Sequence, residues 1–187
     1  KQKSNTGIFT IFIFGGSQAS EFISNFSINL MKSIDKDNII DAKFIIQCPK
    51  SMIEKVSINF KKSKFEFIVN NFFNNIDAIL LDSSLAISRA GAGSVSDLIN
   101  FKIPSILIPL PTAKDNHQYH NAYMLSKHNL AIILKQNMNE IKKAKEYVYE
   151  IYNRRNILES INKEFDKIKV KNSNSLIYKL VTNEKKS

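Results

Sequence analysis

One cysteine, Cys48, stands among 187 residues, so no internal disulfide can form and a reducing cytoplasm suits the chain. No apolar run approaches the roughly 20 residues that cross a bilayer. No segment has the layout of a secretory leader. Acidic side chains are outnumbered, leaving a formal net charge of +10, which brings nucleic acid and anionic membranes into consideration. The excess is mostly lysine scattered among Asn and Ile, as at Lys61-Lys62, Lys142-Lys143 and Lys185-Lys186. It comes without an aromatic-and-arginine platform, a zinc finger or a recognition-helix motif, so nucleic acid is not an expected partner. Weak attraction to acidic lipid headgroups is the better expectation. There is no internal repeat and no Pro/Gly/Ser-rich linker, so residues 1–187 are expected to form one domain. The chain opens on Lys1 and is expected to be a piece of a longer protein.

What the sequence does contain is alternation. Ile8 to Phe14 is almost entirely Ile and Phe, the pattern of a strand covered on both faces. Similar runs follow at Ala42–Cys48, Phe65–Val69, Leu85–Ser88, Ser105–Leu110 and Leu130–Leu134. Helical character lies between them, near Ala19–Ser33, Met52–Phe60, Ser94–Phe101 and Asn116–His128. The alternation predicts an α/β fold: a doubly wound, mainly parallel, six-stranded Rossmann-like sheet in the order 3-2-1-4-5-6. Past Gln136 the sequence turns to charged, Tyr-containing helix. The stretch 168–187 reads as a terminal helix, packed on this domain or on a part absent from the chain.

The unusual residues fall after the strands. Gly15-Gly16-Ser17-Gln18 follows the first, Asn70 to Asn75 the third, Arg89-Ala90-Gly91-Ala92-Gly93-Ser94 the fourth, and Pro109 to Gln118 the fifth. Four of the five glycines belong to two of these loops. In an open parallel sheet the carboxyl ends of the strands share one edge, and ligands bind there at the switch in strand order. Gly15-Gly16 lets amides approach a phosphate and Ser17 adds a hydroxyl; a tight strand-to-helix turn without ligand explains the same residues. Neither a Walker loop nor a full dinucleotide fingerprint is present. Ser94 with Asp97, and Asp115 with Gln118, have the spacing of capping boxes, which would need no ligand. Capping leaves the Gly91-Ala92-Gly93 turn and the His117-Gln118 pair unexplained. A carboxylate at a helix start can accept both hydroxyls of a ribose, and an amide beside an imidazole can read sugar hydroxyls. His117 and His120 are spaced i, i+3 with no evident third ligand, so no metal is expected, nor any cofactor. His128 reads as a helix-end residue.

Taken in order, Gly15 to Gln18, Ser88 to Asp97, Pro104 with Pro109, and Asp115-Asn116-His117-Gln118-Tyr119-His120-Asn121-Ala122 resemble the carboxyl-terminal domain of the MurG family of peptidoglycan N-acetylglucosaminyltransferases. The resemblance runs from about Ile8 to Leu134. It implies one half of a GT-B fold and binding of UDP-N-acetylglucosamine. The implied activity is inverting transfer to lipid I, giving lipid II at the cytoplasmic face of the bacterial inner membrane, with peripheral contact to its anionic lipids. Ser17, between Gly16 and Gln18, should then meet the diphosphate, and the backbone of Phe73 the uracil edge. Within the turn opened by Arg89 and Gly91, the residues Ala92, Gly93, Ser94, Val95 and Ser96 should line the phosphates and ribose. Asp97 should take the ribose hydroxyls, and Gln118, helped by His117, should read the hexose. All are substrate-binding assignments. No residue is assigned catalysis, because the family's acceptor-binding amino-terminal domain has no counterpart here. Two positions depart from the family pattern: Asp97 where Glu is usual, and Ala19-Ser20 where Gly-Ala is usual. A soluble donor-binding subunit of a two-chain transferase, a natural-product glycosyltransferase, a sugar-nucleotide epimerase and a non-catalytic UDP-sugar-binding module remain alternatives.

Overall fold

The computed structural model describes residues 7–15, 20–154 and 158–168. Among them, β1 (Phe9–Phe14), β2 (Ala42–Gln47), β3 (Glu66–Asn70), β4 (Leu85–Ser88), β5 (Ser105–Leu107) and β6 (Ala131–Ile133) form one sheet, ordered β3-β2-β1-β4-β5-β6. Every neighbouring pair is parallel. The chain leaves β1 for β2 on one side and returns to β4 on the other, so the switch lies between β1 and β4, as the alternation predicts.

The near-continuous apolar run of β1 reflects burial on both faces. Phe9, Ile11 and Ile13 belong to one core cluster, with α1 (Glu21–Asp37), α2 (Ile53–Phe60) and α6 (Ile141–Asn153) supplying Phe26, Leu30, Val56, Phe60 and Val148. Phe12 and Phe14 point into a second cluster. There α3 (Ile76–Asp82), α4 (Ala92–Asn100), α5 (His117–Ser126) and α7 (Leu158–Asp166) bring Leu80, Leu98, Leu125 and Phe165. A strand's side chains alternate between faces, so only a strand sandwiched by helices keeps both sets apolar. Phe44 of β2 packs against Phe60 and Phe65, each at a centroid separation of 5.2 Å. At the outer edge β3 shows the alternative, with Glu66, Ile68 and Asn70 exposed.

Three local expectations change. Helix α3 has no counterpart in the sequence reading: seven residues are too few for a helical period to stand out, and the Asn75 side chain starts it by accepting from the Ala78 amide at 3.4 Å. The run from Ser105 pairs only as far as Leu107, and α1 continues to Asp37. There Asn38 ends α1 in the left-handed region at φ 53°, a conformation Asn tolerates better than most residues. The terminal helix expected over 168–187 lies outside the described residues except for Ile168.

Candidate functional site

The carboxyl ends of the strands carry the candidate residues, and α4 begins at the switch point. Its N-cap is Gly91, extended at ψ 151°, and the Gly91 carbonyl already accepts from the Val95 amide at 3.0 Å. The helix therefore starts at Ala92, three residues earlier than a Ser94 cap requires. Ser94 becomes the third helical residue and Asp97 the sixth, so the capping box does not form: a cap needs non-helical backbone, which Ser94 lacks. The second expected box also fails. Asp115 and Asn116 both adopt left-handed backbone, at φ 51° and 52°, and no side chain caps α5.

With Gly91 unable to cap, the amides of Ala92, Gly93 and Ser94 are the unsatisfied donors of a helix amino terminus. Ala92 and Gly93 are exposed. A Cβ built on Gly93 meets nothing within 4 Å, and one on Gly91 meets only Ser94 Oγ at 3.9 Å. Packing among the described residues thus gives no reason for glycine at 93, whereas close approach of a ligand to the backbone would. Val95 is committed to the scaffold, its side chain in the core and its amide to Gly91. Ser94 is buried and Ser96 half-buried. The half-buried Asp97 carboxyl is held above its ordinary value, first by burial and then by Asp77. Gly16, Ser17 and Gln18 lie outside the described residues.

Across the edge, Gln118 Oε1 accepts the Leu110 amide at 2.9 Å. A backbone N–H can only donate, which fixes the amide orientation and leaves the Gln118 NH2 free to donate. His117 Nδ1 lies 2.7 Å from the Lys114 carbonyl, which can only accept, so Nδ1 carries a proton. In the neutral ring Nε2 is then left as an acceptor, while the next residue, Gln118, offers donors. Asn121 of α5 donates to the Ala90 carbonyl at 3.1 Å and ties this loop to the start of α4. Phe73 packs its half-buried ring edge-on to Phe12 at 6.3 Å.

Arg89 occupies the interior of the edge at 8% exposure. Its Nη1 donates to the Ile108 carbonyl at 3.0 Å and more distantly to that of Pro109 at 3.5 Å. Its Nη2 donates to Ser20 Oγ at 3.1 Å and Gln136 Oε1 at 2.6 Å, and the Phe22 ring lies 5.6 Å from the guanidinium carbon. Burial lowers the guanidinium pKa. Sequence reading passed over Ser20, Asn121 and Gln136 as site residues. Gln136 follows β6, so extending the edge rule to the sixth strand would have found it.

Two cavities lie apart from this constellation. One of about 350 Å³ opens among Pro104, His128 and Arg154 towards the amino ends of β5 and β6, and one of about 560 Å³ runs beside β6 past Tyr119, Tyr123 and Tyr147. Among the described residues no three His, Cys, Asp or Glu side chains cluster as metal ligands, and no helix is long and apolar enough to cross a membrane.

Residues 10–177 match the family described as glycosyltransferase family 28 C-terminal domain. The chain is 35% identical over 159 residues to the UDP-N-acetylglucosamine--N-acetylmuramyl-(pentapeptide) pyrophosphoryl-undecaprenol N-acetylglucosamine transferase of Rickettsia typhi, covering 83% of this chain and 41% of that one. It is 30% identical over 182 residues to the transferase of the same name from Wolbachia sp. subsp. Drosophila simulans, covering 95% and 52%. The crystal structure of Acinetobacter baumannii MurG superimposes with a TM-score of 0.81 at 20% identity, over 95% of this chain and 50% of that one. The chain thus spans about half the length of the proteins it resembles.

Proposed function

The chain belongs to the glycosyltransferase family 28 C-terminal domain family, and on that premise we propose that it is the donor-binding half of an inverting N-acetylglucosaminyltransferase. The donor is UDP-N-acetylglucosamine and the acceptor is lipid I, which the reaction converts to lipid II. The acceptor is bound by an amino-terminal half beyond this chain, and the assembled enzyme works at the cytoplasmic face of the inner membrane, touching its anionic lipids peripherally. The observation that carries the reading is the uncapped, glycine-opened start of α4 at the β1/β4 switch, with Asp97 on the same helix and His117-Gln118 across the edge.

In this reading the diphosphate lies over the turn at Gly91, where the free amides of Ala92, Gly93 and Ser94 and the helix dipole stabilise its charge. That stabilisation grows as the sugar–phosphate bond breaks, because the departing UDP gains negative charge, so the amides favour the transition state over the ground state. Arg89 adds positive potential from below. Asp97 accepts the two ribose hydroxyls. The backbone of Phe73 borders the base, while Gln118 donates to and His117 Nε2 accepts from hexose hydroxyls. Gly16, Ser17 and Gln18 complete the diphosphate contact. No group of this chain is assigned the role of base.

Calorimetric titration of the chain with UDP-N-acetylglucosamine, UDP-glucose and UDP tests the reading. Selective binding of the first is expected. Titration and transfer to a lipid I analogue, repeated with the amino-terminal half added in trans, test the activity. A folded chain that binds no UDP-sugar even with that half present would leave the four loops as scaffold only.

A further inference from the structure

We infer that Arg89 is a positioning residue, which acts on the nucleotide site by fixing the start of α1 through Ser20 and does not itself contact the ligand. The inference rests on the donor-site reading above and assigns one residue within it.

The four Nη hydrogens face protein acceptors: the carbonyls of Ile108 and Pro109, Ser20 Oγ and Gln136 Oε1. A side chain so engaged at 8% exposure would have to surrender a hydrogen bond to reach a phosphate. All four acceptors are neutral, so the fork is not there to neutralise a carboxylate. Burying a cation against neutral oxygens is costly unless its hydrogen-bond geometry is used. Here the geometry joins the segments after β4, β5 and β6 to the residue that opens α1.

Ser20 is where this tie reaches the site. Its Oγ accepts both from the Ile23 amide at 3.4 Å, as the α1 cap, and from Arg89 Nη2 at 3.1 Å. Its carbonyl accepts the Ser24 amide at 3.0 Å. A hydroxyl oxygen can accept twice, so the cap and the tether share one atom. If Arg89 lets go, the first turn of α1 loses its reference to the cap of α4 at Gly91, only two residues beyond Arg89. Lysine retains the charge but has no planar fork to span three loops at once.

The test is a double-mutant cycle on this chain with Arg89→Lys, Ser20→Ala and the pair, reading UDP affinity by calorimetry and amide exchange of Ile23 and Ser24 in the free chain. Each single change is expected to weaken UDP binding by about tenfold, with the pair no weaker than Arg89→Lys alone. Arg89→Lys is also expected to speed exchange at Ile23 and Ser24 before any ligand is added. Multiplying losses with unchanged exchange would overturn the proposal in favour of direct contact. A lower melting temperature with unchanged affinity would overturn it in favour of a purely structural role. Should Arg89→Lys not fold, Gln136→Ala replaces it in the same cycle, with the same non-additivity expected and additivity overturning the proposal. A wild-type chain that binds no UDP even with the amino-terminal half present overturns the donor-site reading itself, a result separable from binding that is intact but additive.

Discussion

Gln118 turns its Oε1 to the Leu110 amide, 2.9 Å away, so its NH2 alone is left to face outward. The sequence offers an amide that could donate or accept; the fold spends the acceptor internally.

This orientation separates two substitutions. Gln118→Glu keeps an oxygen for Leu110 but removes the donor, and Gln118→Ala removes both. Each is expected to weaken UDP-N-acetylglucosamine binding by about 1 kcal/mol while leaving UDP nearly unchanged. Paired titrations with the two ligands check it. Equal losses for both ligands would remove the hexose-reading role.

Asp97 separates affinity from stability. Asp97→Asn is expected to weaken UDP binding by about 1–2 kcal/mol, the scale of a charge-assisted hydrogen bond. The folded-state pKa is raised, so the native chain holds this proton more tightly than the unfolded one, and stability falls as pH rises from the ordinary value of 3.8 through the raised one. Asparagine removes that penalty, so the variant should melt no lower than the wild type at pH 7 and bind less well. A lower melting temperature with unchanged affinity would assign Asp97 to the scaffold.

A contrasting pH dependence is expected where α1 meets α6. Asp37 accepts from Lys145 Nζ at 2.7 Å and Tyr149 Oη at 3.0 Å, and these bonds hold its carboxyl below the ordinary value. A depressed carboxyl contributes stability that is present above 3.8 and lost as pH falls through the folded-state value. Asp37→Asn should therefore lower the melting temperature at pH 7, with the difference shrinking in acid. Melting curves across that range read it, and a constant difference would point to packing instead.

Cys48 offers a reporter of opening. Its side chain is fully buried after β2, and burial pushes the thiol up to about 11. Labelling by a disulfide reagent at pH 8 is expected to be at least about a hundredfold slower than for a free thiol. It should recover with denaturant in step with unfolding. Fast labelling of the native chain would mean that this end of β2 opens locally.

Much of the fold was legible because burial on both faces of a parallel sheet leaves unbroken apolar runs. Leu85–Ser88 is a strand with the expected bounds, and the order 3-2-1-4-5-6 follows from right-handed crossovers. The edge where the candidate residues gather was legible for the same reason: loops after parallel strands share one side of the sheet. Helix α3 and the start of α4 were not. A seven-residue helix shows too little period, and Ser94 and Asp97 carry capping spacing that Gly91 pre-empts by three residues.

The sequence by itself determined the strands, their order, the shared edge and the ordered motifs that mark the family, all of which follow from local pattern and chain connectivity. Only the tertiary structure decided that Arg89 turns inward, that Ser20 and Gln136 join it, and that Gln118 presents a donor. The acceptors around Arg89 stand 19, 47 and 69 positions away along the chain, at Ile108, Gln136 and Ser20. Partners so distant leave no mark in local periodicity; only the closing of the sheet, which brings the ends of its strands together, assigns them.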